Sequence, residues 1–221
     1  MRIRLVDRLF SPADLAAIEA AVREVESRSP GEVVPYAVDH SDGYVEGRWT
    51  AATLGSLLGG LAAAALATAL GGWNDAPALW IVGLPAAGAA LAYLLASVWP
   101  ALRLRLVPSH TVDHRVQQRA VAAFVEQEVF RTRARTGVLV FLSLLERRVV
   151  VLADTGISAR VEPHEWDAVT AGIVAGMRRA EPGPTLASAI RRCGELLAAH
   201  GLGTPSGSRP ELSSELRRRS E

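Results

Sequence analysis

Three carboxylates, Asp39, Asp42 and Glu146, are the residues of this chain that could do metal chemistry together. Calcium and magnesium are hard cations that take oxygen ligands. A right-handed crossover joining Glu32–Val38 to Val138–Ser143 would make these segments parallel strands and bring all three acids to one sheet edge. The competing reading is acids in solvated turns, which the abundance of acids on protein surfaces favours. Asp154 falls at the opposite end of the strand pair, at a rise of roughly 3.3 Å per residue, and is expected to pair there with Arg135 as a structural or anion-site charge. His110 and His114, with Asp113 beside them, have the i, i+4 spacing that could put two zinc-binding imidazoles on one helical face. No third ligand is identifiable, so a helix start or a headgroup-facing position is the better reading. His164-Glu165 matches only the first two letters of the zinc-protease motif, because Ala168 stands where the second histidine belongs. No glycine-rich phosphate loop, nucleophile elbow or serine–histidine–aspartate set is visible.

The elements that must position these residues are interrupted by two uncharged apolar runs, Thr50–Leu70 and Ala76–Leu102. Each has about the 20 residues a membrane-spanning helix needs. The turn between them, Gly71-Gly72-Trp73-Asn74-Asp75, is polar and glycine-rich, so the pair reads as a transmembrane hairpin. A chain of 221 residues has no second set of elements large enough to bury both runs as core helices. Arg48 before the first run and Arg103 and Arg105 after the second, against a lone Asp75 in the turn, put the flanking parts in the cytoplasm. Trp49, Trp73, Trp80 and Trp99 stand near the span ends, at the headgroup level. The N-terminal Met1-Arg-Ile-Arg-Leu-Val-Asp-Arg shows no apolar core of a cleavable signal, which agrees with a cytoplasmic start. Neither span holds an ionisable residue, which argues against an ion path or proton relay. Gly55, Gly59, Ala63 and Ala67 repeat every four residues as a small-residue face for close helix approach. The expected partner is the second span through Gly88, Ala92 and Ala96, with homodimerisation through the same face as the runner-up.

The 24 basic residues are all arginine and nearly balance 23 acidic ones, for a net charge of +1. That balance argues against a nucleic-acid partner. A single cysteine, Cys193, excludes an internal disulfide or a thiolate cluster, and its spacing predicts a plain buried thiol on an apolar helix face.

Outside the hairpin, helix and strand signals alternate. Ser11-Pro12-Ala13-Asp14 reads as an N-cap with proline at the first helical position, and Leu15, Ile18, Ala21, Val22 and Val25 follow at helical spacing. Glu32–Val38 reads as a strand in which Pro35 predicts an edge position or an irregularity. Val112, Val116, Ala120 and Phe124 predict a long amphipathic helix ending near Arg133, with Arg115, Arg119, Glu126 and Glu128 facing solvent. Gly137–Ser143 and Arg148–Ala153 read as an antiparallel hairpin covered on both faces. Pro163 opens a helix on Trp166, Val169, Ile173 and Met177. The breaker Glu181–Pro184 separates it from a last helix on Leu186, Ala189, Ile190, Cys193 and Leu197, stopped by Gly201. From Thr204 the composition predicts a disordered tail.

The residues Arg135-Thr136-Gly137 with the apolar strand to Ser143, then Glu146-Arg147, then Asp154-Thr155-Gly156-Ile157 resemble the TPM domain. This is the family of the thylakoid-lumen photosystem II repair proteins and of many bacterial membrane proteins. The resemblance covers about Ser11 to His200 and is strongest from Val112 to Val161. It implies an α/β/α sandwich around a small mixed sheet and, for some members, weak acid phosphatase activity or bound calcium. Many members are exported with a C-terminal anchor, whereas here a membrane hairpin interrupts the domain.

The organisation expected is therefore an N-terminal helix and first strand over 1–49, a transmembrane hairpin over 50–102, the remainder of the TPM-like domain over 103–201 and a disordered tail over 202–221. The expected function is a bacterial inner-membrane protein whose cytoplasmic domain binds an unidentified membrane or cytoplasmic protein as an accessory module. The alternative is a weak acid phosphatase dependent on calcium or magnesium.

Overall fold

The computed structural model describes residues 9–29, 31–69, 78–132, 134–162, 164–179, 181–201 and 215–219. The chain forms two compact units, one of Met1–Asp42 with Asp113–Glu221 and one of Gly43–Val112. The first is an α/β domain split by the second.

The domain begins with α1 (Pro12–Arg28), whose capping box is complete: the Ser11 hydroxyl accepts from Asp14 N at 3.1 Å while Asp14 accepts from Ser11 N at 2.9 Å. Ile18, Ala21, Val22 and Val25 form its buried stripe. Then come β1 (Glu32–Val38), β2 (Gly137–Ser143), β3 (Arg148–Ala153) and β4 (Arg217–Arg219), in the sheet order β3-β2-β1-β4. β1 runs parallel to β2 from Glu32↔Gly137 to Val38↔Ser143, and β2 antiparallel to β3. Strand side chains alternate between faces. Val33, Ala37, Val138, Val140 and Leu142 join one core with α1, α7 (Glu165–Arg178) and α8 (Pro182–Ala199), while the short α6 (Thr155–Ser158) adds Ile157. The opposite face, including the stacked pair Tyr36 and Phe141, is covered by the domain part of α5 (Ser109–Glu126), from which Arg119 lies over the Tyr36 ring. The result is the expected α/β/α arrangement. Cys193 is fully buried, and burial pushes its thiol up to about 12.

In several places the structure corrects the pattern reading. β1 is an interior, wholly buried strand. It tolerates Pro35 because β4 pairs only with Tyr36–Val38, leaving that side of β1 open at the proline. β3 is a half-exposed edge strand. On α5 the inward positions are Val112, Val116, Arg119, Ala120 and Ala123, with the expected Phe124 only half-buried, since a strict repeat of four drifts off a face that turns every 3.6 residues. That helix stops at Glu126, and Glu128 then takes left-handed backbone (φ 55°) ahead of a 3-10 turn over Val129–Arg131. α8 starts at Pro182, inside the expected breaker, because a proline at the first helical position has no N–H to lose. Part of the expected disordered tail is ordered: β4 pairs with β1 and Leu216 enters the core. Its arginine-rich composition concealed one apolar anchor beside an open strand edge. Trp73 and the rest of the turn 71–75, Arg133, Pro163 and residues 202–214 lie outside the described residues.

The second unit is a helical hairpin of α2 (Val45–Ala69) and α3 (Ala78–Val98), followed by the short α4 (Pro100–Arg105). Both long helices are long and apolar enough to span a membrane. The second apolar run is not one helix to Leu102, because Trp99 is extended and Pro100 restarts the chain as a new turn. The small-residue face is where the two helices meet. Ala63 and Ala67 are buried, a Cβ at Gly55 would collide with the Gly88 carbonyl, and one at Gly59 would collide with the Leu84 carbonyl and Pro85 Cα. The outward side is large and apolar, with Leu57, Leu58, Leu61, Val82, Leu91 and Leu94 all exposed.

Backbone contact at Gly59 makes a sharp test. Gly59→Leu should destabilise the hairpin by about 1–3 kcal/mol through overpacking, read as an earlier thermal transition in detergent. Gly83→Leu, where a Cβ meets nothing within 4 Å, should be tolerated; equal behaviour of the two variants would show that the stripe is incidental.

Candidate functional site

The parallel pair β1–β2 ends at Val38 and Ser143, and the segments beyond stay zipped. Leu144 N donates to Val38 O at 3.1 Å and Leu145 N to Asp39 O at 3.0 Å. This places the Leu144–Arg147 turn against Asp39–Ser41. Glu146, 5% exposed, accepts from Ser41 N at 2.9 Å on one carboxylate oxygen and from the Ser143 hydroxyl at 2.6 Å on the other. A serine hydroxyl has one proton, and that of Ser143 goes to Glu146, so Ser41 Oγ, 2.6 Å away, donates to Ser143 Oγ. The carboxylate thus closes a buried clasp on the ends of both strands. Bonds to an ionised acceptor are roughly twice as strong as neutral ones.

The three acids were expected at one edge, and Asp39 and Glu146 do lie on the two zipped segments. They are not gathered into one cluster. Asp42 pairs with Arg115 on α5 at 3.2 Å, and both Glu146 oxygens face internal donors. Among the described residues no group of three or more histidine, cysteine, aspartate or glutamate side chains is placed to hold a metal ion. Parallel strands brought the acids to the same end, but Arg115 takes Asp42 while Ser41 and Ser143 take Glu146. His110 and His114 are exposed on α5, and Asp113 between them pairs with Arg148 at 2.6 Å.

The remaining motif residues form a second cluster at the far end of the sheet. Asp154 caps α6, accepting from Thr155 N at 2.7 Å, and Arg135 Nε lies 3.1 Å from its other oxygen, the pairing anticipated from sequence. Arg135 holds left-handed backbone (φ 56°), and its carbonyl accepts from Gly156 N at 3.0 Å. Only glycine fits at 156, because a Cβ there would lie 2.5 Å from the Ala134 carbonyl oxygen and 2.7 Å from that of Arg135. Gly137 likewise abuts the Val129 carbonyl. Thr136, buried, donates its N–H to the Thr132 hydroxyl oxygen, and its carbonyl accepts from Glu32 N. These contacts are structural: they fix where β2 starts and β3 ends.

Beside the Glu146 clasp, a groove of about 1000 Å³ runs between the β2–β3 turn, the start of β3 and one face of α7. Its volume is at the upper end of the usual range for ligand sites. Leu9, Leu142, Leu144, Val149, Val174 and Met177 make its apolar wall, with Thr170 also lining it. Ser143 and Glu146 also line it, as do Arg147 and Arg148. Arg147 is exposed and held with φ at 53°. Ser143 is 1% exposed, and its hydroxyl donates to Glu146. The arrangement suits recognition of an apolar group with a polar end. The two serines and the α7 wall were missed in the sequence; only their place immediately after a strand, or on a helix's weaker face, could have pointed to them.

No protein-family model and no curated protein sequence matches the chain. Among solved structures it is similar to the NMR structure of the BA42 protein from the psychrophilic bacterium Bizionia argentinensis. The likeness has a TM-score of 0.59 at 14% identity and covers 97% of this chain and 98% of that one. At that identity the likeness is one of fold.

The clasp predicts an asymmetry. Glu146→Ala, which strips the acceptors from two buried donors, should cost about 1–3 kcal/mol or more in chemical denaturation. Asp42→Asn, at a more exposed ion pair, should cost about 0–1 kcal/mol. Equal costs would remove Glu146 from its structural role.

Proposed function

We propose that this chain is a bacterial inner-membrane protein, anchored by the α2–α3 hairpin, whose cytoplasmic TPM-like domain is a binding or accessory module using the groove beside Glu146. The carrying observation is the outward face of the two long helices, where leucine and valine side chains stand exposed along both. In water that face would be a severe aggregation liability, whereas in a bilayer it is solvated by lipid tails. Trp49, Trp80 and Trp99, all exposed, stand near helix ends, as interfacial indoles do. Arginines flanking the hairpin support a cytoplasmic domain. TPM membership rests on the motif residues from Arg135 to Gly156, and the fold agrees with what that resemblance implies.

Binding is favoured over hydrolysis by the chemistry of the site. A metal-dependent phosphatase needs ligands free to meet a cation, whereas Glu146 is spent on backbone and serine donors and Asp42 on Arg115. Two measurements test the reading. Reporter fusions or cysteine labelling should place positions near Ser11 and Glu221 on the cytoplasmic side and Trp73 to Asp75 outside; a protein that is soluble without detergent would sink it. Millimolar calcium or magnesium should leave the melting temperature unchanged, since a bound cation must stabilise the fold. Metal-dependent phosphoester hydrolysis, lost when Asp39, Asp42 and Glu146 all become amides, would establish the phosphatase instead.

A further inference from the structure

The base of the helical hairpin gathers charge of one sign. The arginines of the unit Gly43–Val112 are Arg48, Arg103 and Arg105, and all of them flank the same end of α2 and α3. The acids of that stretch are Glu46, in the first turn of α2, and Asp75, between the two long helices in sequence. Gly47 draws two of the arginines together. A Cβ at 47 would lie 2.4 Å from the Arg103 carbonyl oxygen and 3.1 Å from Arg103 Cβ, so α2 and α4 touch backbone to backbone and the side chains of Arg48 and Arg103 start from neighbouring points. Arg103 is buried there, and the Nε of Arg48 is buried with no hydrogen-bond partner among the described residues. Arg105, at the end of α4, is exposed. Like charges brought this close in a partly dry setting repel, and an anion held between them reverses the sign of the interaction.

What surrounds the arginines narrows the anion. Trp49 and Trp99, both 63% exposed, stand beside them: Trp49 follows Arg48 and packs on Tyr93 at 5.4 Å, while the Trp99 carbonyl accepts from Arg103 N one turn later. Beyond the indoles the outward surface is apolar, with Leu54, Leu95 and Val98 exposed. A molecule that satisfies the whole base is therefore anionic at the arginines and apolar immediately past them. We propose that the base of the hairpin binds an anionic phospholipid, its phosphate on the Arg48 guanidinium with Arg103 and Arg105 adding positive field, and its acyl chains along Leu54, Leu95 and Val98. Arginine's planar fork matches phosphate oxygens two at a time, and basic pockets beside membrane helices on the cytoplasmic side suit acidic headgroups. The excess of arginine over Glu46 selects a lipid with net negative charge over a zwitterionic one. Such a site presupposes the membrane anchoring of the hairpin.

The test uses the full chain, delipidated in neutral detergent, with phosphatidylglycerol, phosphatidylcholine of the same acyl chains, or inorganic phosphate added. Native mass spectrometry should retain phosphatidylglycerol several-fold over phosphatidylcholine at equal mole fraction, and only phosphatidylglycerol should raise the thermal transition markedly. Arg48→Gln should lower that retention several-fold, with Arg48→Lys, which keeps the charge and loses the fork, in between. Arg160→Gln, which removes an exposed charge from the first unit, should change nothing. Arg105→Gln, at an exposed position that folding tolerates, should weaken retention by a smaller factor and decides the matter if circular dichroism shows Arg48→Gln to be misfolded. Equal retention of the two lipids, or retention unmoved by the Arg48 and Arg105 variants, overturns the proposal. Stabilisation by inorganic phosphate equal to that by phosphatidylglycerol also overturns it, by making the site one for a free anion. A chain soluble without detergent refutes the membrane reading itself, whereas a detergent-requiring chain that ignores lipid charge refutes this site alone.

Discussion

The domain depends on one pairing made at long range: β1 against β2, seven residues in parallel register from Glu32↔Gly137 to Val38↔Ser143, with the whole helical hairpin between them in sequence. Everything else in the sheet is added to that pair, β3 by a four-residue turn and β4 by the chain's end. Within the hairpin unit the ends of the insertion are already together, since Gly47 packs on the Arg103 carbonyl so closely that a Cβ would not fit. The hairpin therefore closes itself and roughly halves the chain that β1–β2 pairing must still close. Loop entropy changes by only about 0.6 kcal/mol per doubling of length, so this saving is minor. Register is the larger matter, because a slip of one residue would turn every core side chain of β1 to the wrong face.

Two polar devices hold that register, one at each end. At the start of β2, Gly137 against Val129, Gly156 against Arg135 and the Asp154 cap admit one backbone path. At the other end Glu146 ties Ser41 to Ser143. The helix over the second face is fastened the same way, by Asp113 to Arg148, Arg115 to Asp42 and Arg119 against Tyr36, with Val116, Ala120 and Ala123 between. A thin apolar layer would not by itself fix the helix's rotation; three directional contacts with β3, the post-β1 segment and β1 do so. Arg119 illustrates the trade, since its guanidinium is buried over an aromatic face where a weakly hydrated, delocalised cation is the least costly choice.

Elements whose signal is local were legible in the sequence: the capped α1, the buried stripes of α7 and α8, the β2–β3 hairpin and the small-residue face joining α2 to α3. The parallel crossover was legible too, because handedness leaves few alternatives. What escaped depends on tertiary context. Pro35 argued for an edge strand, and only the short reach of β4 explains how an interior strand keeps it. Arginine-rich residues at the chain's end hid Leu216. The acids near β1 and β2 were found, but which donors would claim them was not, because Ser41, Ser143 and Arg115 have unremarkable local signatures. Asp154 with Arg135 succeeded because both lie at one end of a hairpin whose register the turn dictates.

The two ends of the sheet therefore have different functional capacities. The Arg135–Asp154 end is filled by its own backbone, and its close carbonyl contacts leave no room even for a methyl group at 156. The Glu146 end is equally well bonded within the clasp, yet its outer side forms the head of a groove whose other wall is a helix face of threonine, alanine, valine and methionine. Unbranched methionine adapts to different shapes, and small residues leave depth. A rigid polar end joined to an adaptable apolar wall is the geometry on which the proposed binding role rests, and the buried hydroxyl of Ser143 is held there as part of the bond that closes the sheet.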